Sequence, residues 1–268
     1  MHPRLQDLRA ANDLKQHRLD FRMIATARML RLGMGVLALL FPFLLWGIGG
    51  WYGLKLQASM SDYYIAWPAD QCGFFPARDI LVGLLCAISS GLIAYRGFTR
   101  LEDWLLDVAG VAGFVIAFFP NNLEAGQASA CAALKPIFDG QQQGIPLLHD
   151  AASAVMFVAL GAVVIACGRK TLPFIKSKAW RESLDWTYIG IGVLMVLTPA
   201  AGFLVNELFQ LKSKIFFTEA FALELFAVYW LLKLAELWIT GGEQKLLGVV
   251  DIAPPDRPGP GGAEASPA

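Results

Sequence analysis

Six long apolar segments dominate this sequence and limit what it can fold into. They cover residues 32–51, 79–95, 104–119, 147–167, 187–205 and 215–238. The hydrocarbon core of a bilayer is about 30 Å thick, so a helix of roughly 17–25 mainly apolar residues can cross it. A helix also satisfies its own backbone hydrogen bonds, which a chain inside lipid must do. The segments therefore predict an all-α, polytopic membrane protein with six transmembrane helices.

The composition excludes two broad classes of protein. Hydrophobic residues make up 56% of the chain and charged residues 16%, whereas a typical soluble domain carries about 25% charged residues. A soluble enzyme is therefore not expected. The 22 Lys and Arg residues are balanced by 22 Asp and Glu residues, so no basic excess points to a nucleic-acid partner.

The distribution of basic residues predicts the orientation in the membrane. Of the 22 Lys and Arg residues, 17 lie before the first segment, after the second and fourth, or from the end of the sixth onward. The other five lie in or beside the alternate loops. Because cytoplasmic loops carry the excess of Lys and Arg, both termini are predicted to be cytoplasmic.

Three regions follow from this topology. Residues 1–31 form a basic cytoplasmic arm, which has two interpretations: a helix lying on the anionic leaflet or a solvated basic helix. Residues 32–240 form the transmembrane bundle. Residues 241–268 are rich in Pro, Gly, Ala and Ser and predict a disordered cytoplasmic tail. Function must then lie among the spans or in the outer loops.

Two cysteines fall in the loops that this topology places outside the cytoplasm. Cys72 follows the first segment and Cys131 follows the third. Disulfides persist in oxidising compartments, so we predict a Cys72–Cys131 disulfide. The alternative is two thiols too far apart to bridge.

Polar side chains near the outer ends of the spans form the candidate binding site. Ionisable residues inside spans are costly and usually face a bundle interior or a water-filled cavity. The candidate ligand-binding residues are Ser61, Tyr63, Tyr64, Arg78, Asp79, His149, Ser153 and Glu219. The same residues have a structural interpretation, because polar groups at span ends also cap helices and anchor them at the interface.

Three functions remain open from these residues. In the preferred interpretation, Arg78 pairs with a phosphate or carboxylate of a membrane lipid headgroup or a small amphiphile. Tyr63, Tyr64 and Ser61 would hydrogen-bond the same group. His149, Asp79 and Glu219 would set the protonation of the pocket.

Two alternatives use the same region differently. A membrane-embedded hydrolase would use His149 as general base, oriented by Asp79 or Asp150. A proton-coupled transporter would use Glu219 and Glu224 as proton-carrying carboxylates.

The histidine count limits metal chemistry. His2 and His17 are predicted to be cytoplasmic and His149 outer, so neither face can assemble a three-histidine zinc site. A mixed site of His149 and carboxylates has only weak support. No metal and no cofactor are therefore predicted.

Several motifs carry a resemblance to a known family. These are Ser59-x-Ser61-x-Tyr63-Tyr64, the run Arg78-Asp79-Ile80-Leu81-Val82-Gly83, and Tyr95-Arg96-Gly97. Together with His149, Glu219 and Trp230, they resemble an uncharacterised family of bacterial six-helix inner-membrane proteins. The resemblance covers most of residues 59–233. It implies six helices and a location in the bacterial inner (plasma) membrane, and it implies no established activity.

Overall fold

Six long helices make up most of the described chain. The computed structural model describes residues 3–68, 70–71, 73–119, 144–209 and 214–243. In chain order the helices are α1 (Pro3–Trp51), α2 (Arg78–Ala94), α3 (Arg100–Phe118), α4 (Gly144–Ala162), α5 (Lys178–Phe209) and α6 (Lys214–Thr240). These described ranges contain no β-strand, which confirms the all-α prediction for them.

Shorter helical segments connect or extend the long ones. A 3-10 helix, Ser61–Tyr64, lies between α1 and α2. Helix α4 continues through a π-helical turn, Val163–Cys167, and then a 3-10 segment, Gly168–Phe174. The change of helix type begins close to the predicted end of the fourth span at residue 167.

Among the residues that the structure describes, four helical stretches are long and apolar enough to cross a membrane, and they indicate a multi-pass membrane protein. They are Leu19–Trp51, Leu147–Phe174, Lys178–Ala201 and Ile215–Thr240. The other two predicted spans correspond to α2 and α3, which are not among these four stretches. Helix α2 has only 17 residues, and α3 carries Arg100, Glu102, Asp103 and Asp107 in its first half.

The first helix is longer than the predicted first span. It runs without interruption from Pro3 to Trp51 and contains Pro42, so the basic arm and the first span form one continuous helix. Proline removes one backbone hydrogen bond from a helix, and a membrane helix tolerates this loss where neighbouring groups compensate.

The six helices form a closed ring in sequence order. Each helix packs against the next, and α6 packs against α1. Successive helices alternate in direction, which gives the ring two ends. The Ser61 end holds the 3-10 helix and the beginnings of α2, α4 and α6. The Lys233 end holds the end of α6 and the beginnings of α3 and α5.

Glycines allow close contact between neighbouring helices. A methyl group added to Gly161 of α4 would lie 2.8 Å from the backbone oxygen of Gly192 in α5, and the reverse substitution would meet Gly161 at the same distance. Such contacts bring membrane helices together where lipid supplies no hydrophobic driving force. Gly113 and Ala117 of α3, which suit helix packing by sequence, are both buried.

Residue types that are typical of helix ends lie at two of the observed boundaries. Thr99 caps α3, since its hydroxyl accepts a hydrogen bond from the Glu102 backbone N–H at 3.2 Å. The Glu102 carboxylate accepts one from the Phe98 backbone N–H at 2.9 Å, one residue before the Thr99 N–H that a capping box would use. Gly241 follows the end of α6 with a φ of 60°, a conformation that glycine adopts without steric cost.

Two further predictions lie outside the described residues. Cys72 and Cys131 are not among the residues that the structure describes, so the disulfide between them stays a prediction. The same holds for the tail after residue 243.

Candidate functional site

Two of the predicted site residues hydrogen-bond to each other at the Ser61 end. The Ser61 Oγ lies 3.0 Å from the Nε2 of His149. The Nδ1 of the same imidazole lies 2.7 Å from the backbone oxygen of Phe119, just after α3. His149 is buried and Ser61 is half-buried, so the hydroxyl is the more accessible of the two groups.

The chemistry of the partners defines the neutral tautomer of His149. A carbonyl oxygen only accepts hydrogen bonds, so Nδ1 must carry the proton that is donated to Phe119. In the neutral ring Nε2 then has a free lone pair and accepts the Ser61 O–H. Ser153, one turn along α4, donates its hydroxyl to the His149 backbone oxygen at 3.0 Å. It therefore bonds to its own helix and makes no hydrogen bond to the imidazole.

Glu219 holds the segment that carries Ser61. Its carboxylate accepts a hydrogen bond from the Met60 backbone N–H at 2.7 Å. Within that segment, Ser59 N–H donates to the Asp62 carboxylate at 3.0 Å, and Asp62 N–H donates to the Ser59 hydroxyl at 3.2 Å. These bonds connect the beginning of α6 to the 3-10 helix and define the position of Ser61.

Tyr63 faces the interior at this end of the ring. Its ring is buried and lies 6.1 Å from the ring of Phe216, between centroids. Burial raises the pKa of the Tyr63 phenol, although a hydrogen bond from the Gln57 backbone opposes this effect. Tyr63 therefore packs against its neighbours, whereas the sequence suggested a ligand contact.

Arg78 lies beside two aromatic rings at the beginning of α2. Its guanidinium carbon is 4.6 Å from the centroid of the Phe75 ring and 5.7 Å from that of Tyr64. Its ion-pair partner Asp79 is 3.9 Å away and 92% exposed. Within the described part of the chain the guanidinium makes no other ion pair, and its side chain is 40% exposed.

The remaining acidic candidates do not join the Ser61–His149 pair. Asp79 and Asp150 are exposed, and the position that either would occupy beside Nδ1 of His149 is taken by the Phe119 carbonyl. Glu224 has one buried carboxylate oxygen with no hydrogen-bond partner among the described residues.

A long apolar groove lies between α3 and α4. Its volume is about 460 Å³, and Asp107 is the charged residue in its lining. The other lining residues are Trp104, Val108, Val111, Ala112, Val115, Leu148, Ala151, Ala152 and Val155. The groove therefore reaches Leu148, the residue next to His149. Asp107 pairs with Arg96 at 3.0 Å.

The Lys233 end contains a group of buried polar side chains that the sequence analysis did not select. The Lys233 ammonium donates to the Gly168 backbone oxygen at 2.6 Å, to Glu236 at 2.9 Å and to the Thr171 hydroxyl. Glu236 also accepts hydrogen bonds from Thr171 and Tyr188. The turn of α4 through its π-helical and 3-10 segments places Gly168 and Thr171 against α6.

Arg31 forms a second buried group at the same end. It donates to the Tyr95 phenol oxygen from Nη2 at 2.7 Å and from Nε at 3.1 Å. It also pairs with Glu243, which accepts a further hydrogen bond from Arg28 at 2.6 Å. We name Arg31, Tyr95, Thr171, Tyr188, Lys233, Glu236 and Glu243 together the buried polar cluster. It connects α1, α4, α5, α6 and the segment after α2.

A signal for this cluster is present in the sequence. Lys233 and Glu236 are three residues apart, so they share one face of a helix, and both fall within the predicted sixth span. In the prediction of orientation, Lys233 and Arg31 served only as basic residues on the cytoplasmic side. Burial of these charges could not be read from that prediction.

Comparison with known proteins adds no family or function to this geometry. Among the residues that the structure describes, no group of three or more His, Cys, Asp or Glu side chains is placed to hold a metal ion. The chain matches no protein-family model, no curated protein and no solved structure.

Proposed function

We propose that the Ser61 end binds the anionic headgroup of a membrane lipid or small amphiphile. The observation that carries this proposal is the position of Arg78. Its guanidinium lies against Phe75 and Tyr64, and among the described residues its one ion-pair partner is the exposed Asp79 at 3.9 Å. Aromatic faces stabilise a cation through their quadrupole and do not occupy the N–H donors of Arg78, which can therefore bind an anion.

The physical chemistry of arginine favours phosphate or carboxylate as the group bound. A guanidinium presents planar donors that match either anion in a bidentate arrangement. The nearby Asp79 does not compete strongly, because exposed ion pairs contribute only about 0–1 kcal/mol. Tyr64 and Ser61 belong to one 3-10 helix, so hydroxyl groups accompany the guanidinium at this end.

The proposal includes six transmembrane helices with both termini in the cytoplasm of a bacterial cell. Helices α2 and α3 occupy places in the ring between α1 and α4, and their 17 and 19 residues span roughly 25–29 Å at 1.5 Å per residue. The excess of Lys and Arg on one side supports this orientation. It would place Ser61 and Arg78 at the outer leaflet, and the family resemblance implies that the membrane is the inner one.

Reporter fusions test this topology. Green fluorescent protein fused after residue 243 is expected to fluoresce, because it would remain in the cytoplasm. Alkaline phosphatase fused after residue 68 is expected to be active, because that loop would be exported. The opposite pattern would contradict the orientation, and activity of a phosphatase fused after residue 97 would contradict the placement of α2 as a span.

Substitution of Arg78 tests the binding site. The Arg78→Gln protein is expected to lose retained anionic phospholipid by about 10-fold or more, because a hydrogen bond to a charged group contributes about 1.5–3 kcal/mol. The measurement is native mass spectrometry of protein purified with its lipids in a mild detergent.

A matched control separates this effect from loss of a surface charge. Arg96 is exposed, pairs with Asp107 and lies at the opposite end of the ring, so Arg96→Gln should retain lipid as the wild type does. Equal lipid retention by the wild type and the Arg78→Gln protein would reject the proposed site.

A further inference from the structure

We infer that Ser61 and His149 form a nucleophile–base pair that cleaves an ester bond of the bound amphiphile. The inference rests on the proposed function for the origin of the substrate, and on independent geometry for the chemistry. Serine hydrolysis needs a hydroxyl, a base within hydrogen-bond reach and a third group that orients the base. All three occur at the Ser61 end.

The geometry supplies each of these parts. Ser61 Oγ lies 3.0 Å from His149 Nε2, within the range for proton abstraction. The Phe119 carbonyl, 2.7 Å from Nδ1, directs the lone pair of the neutral ring toward Ser61. A carbonyl takes the place that a carboxylate occupies in the Ser-His-Asp arrangement.

The position of Ser61 is held from a second helix. Glu219 of α6 accepts the Met60 backbone N–H at 2.7 Å, and Met60 precedes Ser61 directly. Glu219 is therefore a positioning residue: it fixes the backbone that presents the nucleophile, and it makes no described contact with the imidazole.

The residues around Ser61 favour an ester that has both an anionic headgroup and an apolar chain. The 3-10 helix that carries Ser61 also carries Tyr64, whose ring contacts Arg78, so an anionic headgroup at Arg78 would lie beside the nucleophile. On the other side, the apolar groove between α3 and α4 reaches Leu148, which precedes His149. This groove is the apolar surface that would take the acyl chain of the ester.

Besides the ester, the reaction needs only water. The Ser61 proton moves to His149 Nε2 while Oγ bonds to the ester carbonyl carbon, whose π electrons move to its oxygen. The carbonyl re-forms as the C–O bond to the alcohol breaks, and the alcohol takes the proton from Nε2. Water then gives a proton to Nε2 and attacks the acyl-serine, the C–Oγ bond breaks, and Ser61 recovers its proton. The products are a carboxylic acid and an alcohol.

A fluorophosphonate probe tests this pair without knowledge of the natural substrate. The full-length protein in detergent is treated with a biotinylated alkyl fluorophosphonate, and the labelled peptide is identified by mass spectrometry. We expect covalent labelling at Ser61 with loss of fluoride. The labelling rate should fall about 100-fold or more in His149→Gln, because a positioned general base contributes about 10²–10⁴-fold. Ser61→Ala should remove the label.

A control variant and a fold measurement make each outcome decisive. Ser90 is exposed on α2, so Ser90→Ala should label as the wild type does, and thermal unfolding should show that each variant is folded. Folded wild-type protein without a label at Ser61 would overturn the inference, as would a label that persists in Ser61→Ala. If the protein retains lipid but is not labelled, the catalytic pair is rejected and the binding site stands. If Ser61 is labelled but no lipid is retained, the binding site is rejected and the catalytic pair stands.

Discussion

Replacing Lys233 by methionine is expected to lower the free energy of unfolding by about 3–5 kcal/mol, the usual cost of breaking a buried ion pair from one side. Lys233 and Glu236 are both buried in α6. The substitution would leave the Glu236 carboxylate in the bundle with its Thr171 and Tyr188 hydrogen bonds but without a cation. Unfolding in mixed detergent and SDS, followed by circular dichroism, measures the change.

An exposed pair of the same residue types provides the control. Lys178 and Glu182 are 3.8 Å apart and largely exposed on α5, so Lys178→Met should change stability by only about 0–1 kcal/mol. The double variant Lys233→Met, Glu236→Leu should stay destabilised, because it removes the unpaired carboxylate but leaves the buried Thr171 and Tyr188 hydroxyls without their acceptor, at about 1–3 kcal/mol each. Similar small effects of Lys233→Met and Lys178→Met would show that the buried pair does not stabilise the bundle.

The second large effect is expected at Arg31. Arg31→Met should destabilise the protein by about 3–5 kcal/mol, because it removes the buried partner of Glu243, leaves only the partly exposed Arg28 beside that carboxylate, and removes both hydrogen bonds to Tyr95. Arg28 pairs with the same carboxylate but is 28% exposed, whereas Arg31 is 2% exposed. Arg28→Met should therefore cost only about 0–1 kcal/mol. Each variant removes one arginine that pairs with Glu243, so comparing their thermal and SDS unfolding isolates the effect of burial. Equal losses of stability would contradict this account.

The helical architecture was largely accessible from the sequence. Apolar length predicted helices at all six segments, and the residues at two helix ends, Thr99 and Gly241, are of types usual at such positions. The main differences concern length and charge. Helix α1 includes the basic arm as one continuous helix, since nothing between residues 3 and 51 breaks it before Pro42, which the helix tolerates.

The candidate site was accessible only in part. Sequence pattern selected Ser61, His149 and Glu219, and the structure brings these three to one end of the ring. The same reasoning also selected Asp79, which is almost fully exposed. Helical periodicity identifies residues that share a face, but it does not show whether that face points to a neighbouring helix or outward.

The sequence by itself determined the class of fold, the approximate places of the six helices and local caps such as that of Thr99 on α3. These depend on apolar length and on groups within one or two turns, which every conformation of the segment keeps close. Only the tertiary structure decided that Ser61 meets His149, 88 residues away, and that Arg31 meets Glu243, 212 residues away. The physical reason is that such pairs depend on the rotation of each helix about its own axis. Close contacts between helices, such as that of Gly161 with Gly192, set this rotation.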